Sequence, residues 1–63
     1  MPLAQISLLQ GSTDDQKRAV IQRVTEALVE STGVSKAAVR VLIIDLPSIN
    51  WGVGGVPVKD LST

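Results

Sequence analysis

The sequence predicts an α/β fold: one βαβ unit with parallel strands and a C-terminal hairpin arm, in a chain of 63 residues expected to associate with others. Three observations predict it. An alternating apolar segment opens the chain, a helical period runs from Asp14 to about Thr32, and a segment apolar on both faces follows. Strand, helix and strand in so short a length imply parallel strands joined by a right-handed crossover. Residues 1–63 are expected to form a single domain, without linker, repeat or low-complexity segment.

Pro2-Leu3-Ala4-Gln5-Ile6-Ser7-Leu8-Leu9 alternates as a half-covered strand does, with Ala4, Ile6 and Leu8 on one face. Gln10-Gly11-Ser12 breaks it. Thr13 followed by Asp14-Asp15-Gln16 has the capping-box pattern, and the two aspartates suit the positive end of a helix dipole. Val20, Ile21, Val24, Ala27 and Leu28 then predict one apolar stripe, with charged and polar residues over most of the remaining surface. Gly33 is placed to end the helix in the left-handed conformation, and Ser35–Ala38 has the length of one further turn. Val39–Leu46 is mostly β-branched and apolar on both sides, as in a strand covered twice. Pro47 closes it. Asn50–Val58 holds short apolar stretches around Gly54-Gly55, the pattern of a small hairpin or hooked arm.

One helix covers one face of a two-stranded sheet. The other face, with Leu42, Ile44 and Leu46 or their alternates, is left as an apolar patch that another subunit is expected to cover. The arm is expected to pack on a neighbouring chain, because a lone two-stranded hairpin is marginal. Size leads to the same expectation. A chain of 63 residues buries only about 60% of its unfolded surface, and such domains commonly need a disulfide, a metal or association. There is no Cys and no His, so no disulfide, no thiolate zinc site and no imidazole base is available.

Lys17, Arg18, Arg23, Lys36, Arg40 and Lys59 balance Asp14, Asp15, Glu26, Glu30, Asp45 and Asp60. A net charge of zero gives no long-range attraction to nucleic acid or anionic lipid, and neither is an expected partner. Val41–Ile44, the longest apolar run, is too short to span a bilayer. The start of the chain lacks a basic segment leading into an apolar one, so no signal peptide is expected and the expected location is cytoplasmic.

Few groups are left for chemistry. Asp45, near the end of the second strand, is the one carboxylate in a plausible site position. It also reads as a strand-end acid facing solvent or capping a turn. Gly52-Val53-Gly54-Gly55 lacks the Lys-Ser/Thr of a phosphate loop and precedes no helix, so its glycines are read as serving a tight turn. Arg40, at the start of an apolar strand, must reach water, a carboxylate or an anionic ligand, and an interface ion pair is as reasonable as a ligand contact. Pro2 is a common second residue. If Met1 is removed, however, it becomes a secondary α-amine, of a class whose reference pKa is near 8. Apolar surroundings and a nearby Arg lower such a value, and an amine neutral at pH 7 is a general base for a carbon acid.

These features together resemble the short subunits of the 4-oxalocrotonate tautomerase family. The resemblance rests on Met1-Pro2 before an apolar strand, Gly11-Ser12-Thr13-Asp14-Asp15-Gln16-Lys17 leading into the helix, Val39-Arg40-Val41 opening the second strand, and Asn50-Trp51-Gly52-Val53-Gly54-Gly55. It covers essentially the whole chain.

The resemblance implies a βαβ subunit that forms dimers, usually grouped as hexamers, and a cofactor-independent keto–enol isomerase acting on a small 2-oxo acid or its enol. Pro2 would carry the proton. Arg40, from a neighbouring subunit, would bind the carboxylate and 2-oxo group and stabilise the enolate. Trp51 stands where the family has an aromatic and would wall the site. Substrate contacts are expected from Trp51, Ser12 and Leu9, and no metal or cofactor is expected. A homohexamer is the expected assembly, with a dimer or heterohexamer as the other forms.

One departure bears on substrate. Where well-characterised members carry an Arg for a distal carboxylate, this chain has Ser12. Loss of one charge-assisted contact costs about 1.5–3 kcal/mol, or roughly tenfold to more than a hundredfold in binding. A monocarboxylate such as phenylpyruvate or a 2-hydroxydienoate fits the one retained Arg. Alternatively, a second kind of subunit in a heterohexamer supplies the missing Arg, or the chain is a non-catalytic oligomeric module. Hydration of halogenated acrylates would need an acidic water-activating residue and further arginines near the N-terminus, and neither is evident.

Overall fold

A computed structural model describes residues 1–61. Strand β1 (Leu3–Leu9), helix α1 (Asp14–Thr32) and strand β2 (Arg40–Leu46) form the βαβ unit. The strands pair in parallel from Leu3 opposite Arg40 to Leu9 opposite Leu46. A short antiparallel hairpin follows, β3 (Gly52–Val53) with β4 (Val56–Pro57). Gly54 and Gly55 at its tip have φ of 60° and 85°, the paired positive values that a type I′ turn demands. The arm from Pro47 onward packs chiefly on itself, one 3-10 turn (Ser48–Asn50) against another (Val58–Asp60).

Both ends of α1 form as their residues dictate. Thr13 Oγ1 accepts from the Gln16 amide at 3.1 Å, and Gln16 Oε1 accepts from the Thr13 amide at 2.9 Å. Two otherwise orphaned donors are satisfied reciprocally. Gly33 ends the helix at φ 77°, donating to the Val29 carbonyl at 3.0 Å. The helix turns Val20, Val24, Leu28 and Val29 toward the sheet, together with Lys17 and Thr25, and all six are half-buried. Ile21 and Ala27, expected on this stripe, are exposed. Seven residues turn the helix by about 700°, so each lies within about 20° of Leu28 or Val20 respectively, and their exposure shows that a sheet of two strands leaves part of the stripe uncovered. Val39, expected as the first residue of the second strand, instead closes the 3-10 turn Lys36–Ala38 and precedes β2.

Alternation divides the strands. Ala4, Ile6 and Leu8 with Val41 and Ile43 face the helix and are half-buried. On the other face Leu3 and Leu9 are exposed, as are Leu42 (48%) and Ile44 (42%). Val39, at 9% exposure, is the only buried residue among those described. The chain exposes 4694 Å², whereas a compact monomer of its mass exposes about 3,900 Å². Its radius of gyration is 14.8 Å, against about 10.6 Å for a compact domain of this length. No helix among the described residues is long and apolar enough to cross a membrane.

Candidate active site

Parallel pairing gives the βαβ unit two chemically different ends. At one end the Arg40 amide donates to the Pro2 carbonyl at 3.0 Å, extending the ladder one step beyond Leu3. Pro2 is half-buried and shares the helix-side parity of Ala4 and Ile6, whereas Arg40 shares the open-face parity of Leu42 and Ile44. The two backbones are therefore bonded while their side chains belong to opposite faces.

The Arg40 guanidinium folds onto its own approach segment. Nη1 donates to the Ala37 carbonyl at 2.8 Å and the Val39 carbonyl at 3.2 Å. Neither ion pair among the described residues involves it. Nη2 and Nε are left as a planar fork suited to a carboxylate.

Leu9 and Ser12 lie at the other end, about 20 Å away along β1. Leu9 is exposed on the open face opposite Leu46, and Ser12 is half-buried in the β1–α1 loop. The loop is tied to β2 by the Gln10 amide, which donates to the Leu46 carbonyl at 2.9 Å. Trp51 lies in the arm, half-buried, its carbonyl accepting from the Val58 amide at 2.7 Å. One chain thus brings Pro2 and Arg40 to one end and Leu9 and Ser12 to the other. The described residues of a single chain form no pocket. They contain no group of three His, Cys, Asp or Glu side chains arranged to hold a metal.

Asp45 is the exposed strand-end acid expected from the sequence, and it is paired as well. Its Oδ2 accepts from Lys17 Nζ, and the two side chains are 33% and 28% exposed. The hydrogen bond to Asp45, reinforced by the charges of Asp45 and Asp14, raises the Lys17 pKa above 10.5, outweighing the partial burial that lowers it. Sequence reasoning missed this pair although a signal was present. Lys17 precedes Val20, Val24 and Leu28 at helical spacing, and Asp45 follows Val41 and Ile43 at strand spacing, so both belong to the facing surfaces.

The family model described as "Tautomerase enzyme" matches residues 2–61. A 2-hydroxymuconate tautomerase from Comamonas testosteroni is 54% identical over 61 residues, covering 97% of each chain. One from Pseudomonas putida is 52% identical over the same length and coverage. Among solved structures, one from work on the 4-oxalocrotonate tautomerase isozymes of Methylibium petroleiphilum superposes with a TM-score of 0.89 at 55% identity, covering 92% of this chain and 94% of that one. Another, from a heterohexamer 4-oxalocrotonate tautomerase of Chloroflexus aurantiacus J-10-fl, gives 0.94 at 31% identity, covering 98% and 100%.

Proposed function

This chain belongs to the tautomerase family, and from that premise we propose that it interconverts the enol and keto forms of a small 2-oxo acid, with Pro2 as the base. The family match, running from Pro2 to Leu61, carries the reading. Once Met1 is removed, the Pro2 nitrogen is a secondary amine with a free lone pair. It takes a proton from one atom of the substrate and returns one to another, so the enzyme ends each cycle unchanged. No redox change occurs, and the reaction needs no cofactor.

Arg40 binds the carboxylate and the 2-oxo oxygen through its Nη2 and Nε fork. Charge developing on that oxygen is stabilised most in the transition state, which is where binding accelerates a reaction. The opposite-face parity of Pro2 and Arg40 supports an Arg40 supplied to each Pro2 by a neighbouring subunit. Trp51 from the arm walls the site and keeps water from stabilising the ammonium form of Pro2. Leu9 and Ser12 meet the far end of the substrate.

Association completes this site. The apolar open face, the excess exposed area and the self-packed arm all support assembly with further copies, and the assembly we propose is a homohexamer in the cytoplasm. The heterohexamer relative supports a second assembly, in which another kind of subunit contributes a cation opposite Ser12. The curated relatives are named for 2-hydroxymuconate, a dicarboxylate enol. With Ser12 and one site arginine, this chain is better matched to a monocarboxylate enol.

Ketonisation of phenylenolpyruvate, followed in the ultraviolet with protein shown by intact mass to lack Met1, is the test. Turnover above the buffer rate supports the reading. An associated, Met1-free protein that leaves both phenylenolpyruvate and 2-hydroxymuconate at the buffer rate overturns it.

A further inference from the structure

The Leu9–Ser12 end holds a charge pair with no part in the proton transfer. Lys17 and Asp45 form the ion pair that joins α1 to β2, whereas the other among the described residues, Arg18 with Asp15, stays within one helical turn. Ser12 immediately precedes the N-cap Thr13, and Lys17 is the fourth helical residue. Those two positions face each other across a capping box, where apolar side chains commonly form a staple. By that rule Ser12 and Lys17 lie on the same side of the helix start, and both are half-buried.

This end is held from three directions: by the Gln10–Leu46 backbone bond, by the Thr13–Gln16 capping box and by the Lys17–Asp45 pair. Lys17 is paired with Asp45, and Asp14 adds a further negative charge nearby.

We propose that Lys17 is a masked cation, and that its neutralisation by Asp45 makes the Ser12 end select substrates with an uncharged tail over those with a second carboxylate. The proposal rests on the tautomerase reading above. A second carboxylate arriving beside Ser12 meets an ammonium already paired, and it must displace Asp45 to gain a partner. Exchange of one carboxylate for another yields little, and the displaced Asp45 then stands as a like charge beside the newcomer. An uncharged tail meets the Ser12 hydroxyl and the Leu9 side chain without either cost.

The test compares kcat/KM for 2-hydroxymuconate with that for phenylenolpyruvate in the associated, Met1-free protein. Asp45→Asn, which keeps the shape of the carboxylate and removes its charge, raises the dicarboxylate-to-monocarboxylate ratio by about tenfold. Adding Lys17→Gln to Asp45→Asn abolishes that rise. Lys17→Gln alone, which leaves Asp45 unpaired, lowers the ratio. It serves as the deciding measurement if circular dichroism shows that Asp45→Asn does not fold.

A ratio unmoved by these changes in an active enzyme overturns this inference and leaves the tautomerase reading intact. A rise that survives in the double variant does the same. A wild-type protein inactive on both substrates overturns the two together.

Discussion

The Arg40 amide donates to the Pro2 carbonyl at 3.0 Å, yet strand alternation sends the two side chains to opposite faces of the sheet. If each site draws its base from one chain and its guanidinium from another, two individually disabled variants complement each other. Pro2→Ala and Arg40→Ala, each slowed alone, regain part of the wild-type rate when unfolded and refolded as a mixture. Absence of any regain in mixed oligomers, confirmed by native mass spectrometry, would show that both groups act from one chain.

Removal of the base has a characteristic size. General base catalysis is worth typically 10²–10⁴-fold, so Pro2→Ala lowers kcat by about that range while association is retained. A variant that keeps Met1, such as one with a bulky second residue inserted before Pro2, falls with it, because an amide nitrogen has no basic lone pair. Intact mass and steady-state rates on the same preparations check both.

Arg40→Ala removes a charge-assisted contact and lowers kcat/KM by roughly tenfold to more than a hundredfold. Arg40→Lys restores only part of the loss, because an ammonium does not reproduce the planar fork. Full rescue by Lys, measured by the same assay, would mean that charge alone suffices.

The open face sets the assembly. Light scattering is expected to find a mass several times 6.6 kDa, and Ile44→Asp is expected to reduce it by placing a charge where the wild type exposes apolar surface. A wild-type monomer by scattering would contradict the shared site.

The Lys17–Asp45 pair predicts a pH dependence of stability. Lys17 binds its proton more tightly folded than unfolded, since its pKa is raised above 10.5. Its contribution is therefore fully present below about 10.5 and is lost as pH rises through the raised folded value. The melting-temperature difference between wild type and Lys17→Gln is expected to be constant near neutrality and to shrink in strong alkali. A difference that grows with pH in that range would reverse the sign of the linkage.

Local signals made most of the fold legible. Thr13, Gln16 and Gly33 mark both helix ends through bonds to their own neighbours, and the alternation of Ala4, Ile6 and Leu8 depends only on the two-residue period of a strand. Gly54-Gly55 states its turn through backbone freedom alone. Charged residues at buried spacings were harder to read. Lys17 sits in register with Val20 and Val24, but a lysine there reads as solvated surface until a carboxylate 28 residues away is known to face it. The placement of Ile21 and Ala27 depended on how wide the covering sheet is, which is a property of two strands together. Pro2, Arg40, Trp51, Ser12 and Leu9 could be nominated as residues, but their division between two ends and an arm follows from parallel topology.

That Val39 is the single buried side chain among the described residues has a thermodynamic consequence. A protein with its own interior folds with a dimensionless equilibrium constant. Where neighbours supply the interior, folding and assembly become one reaction whose constant carries units of concentration, and stability is a property of the solution as much as of the chain. Dilution then acts as a denaturant. The quantity of protein a cell makes joins the sequence in deciding whether a folded active site exists at all.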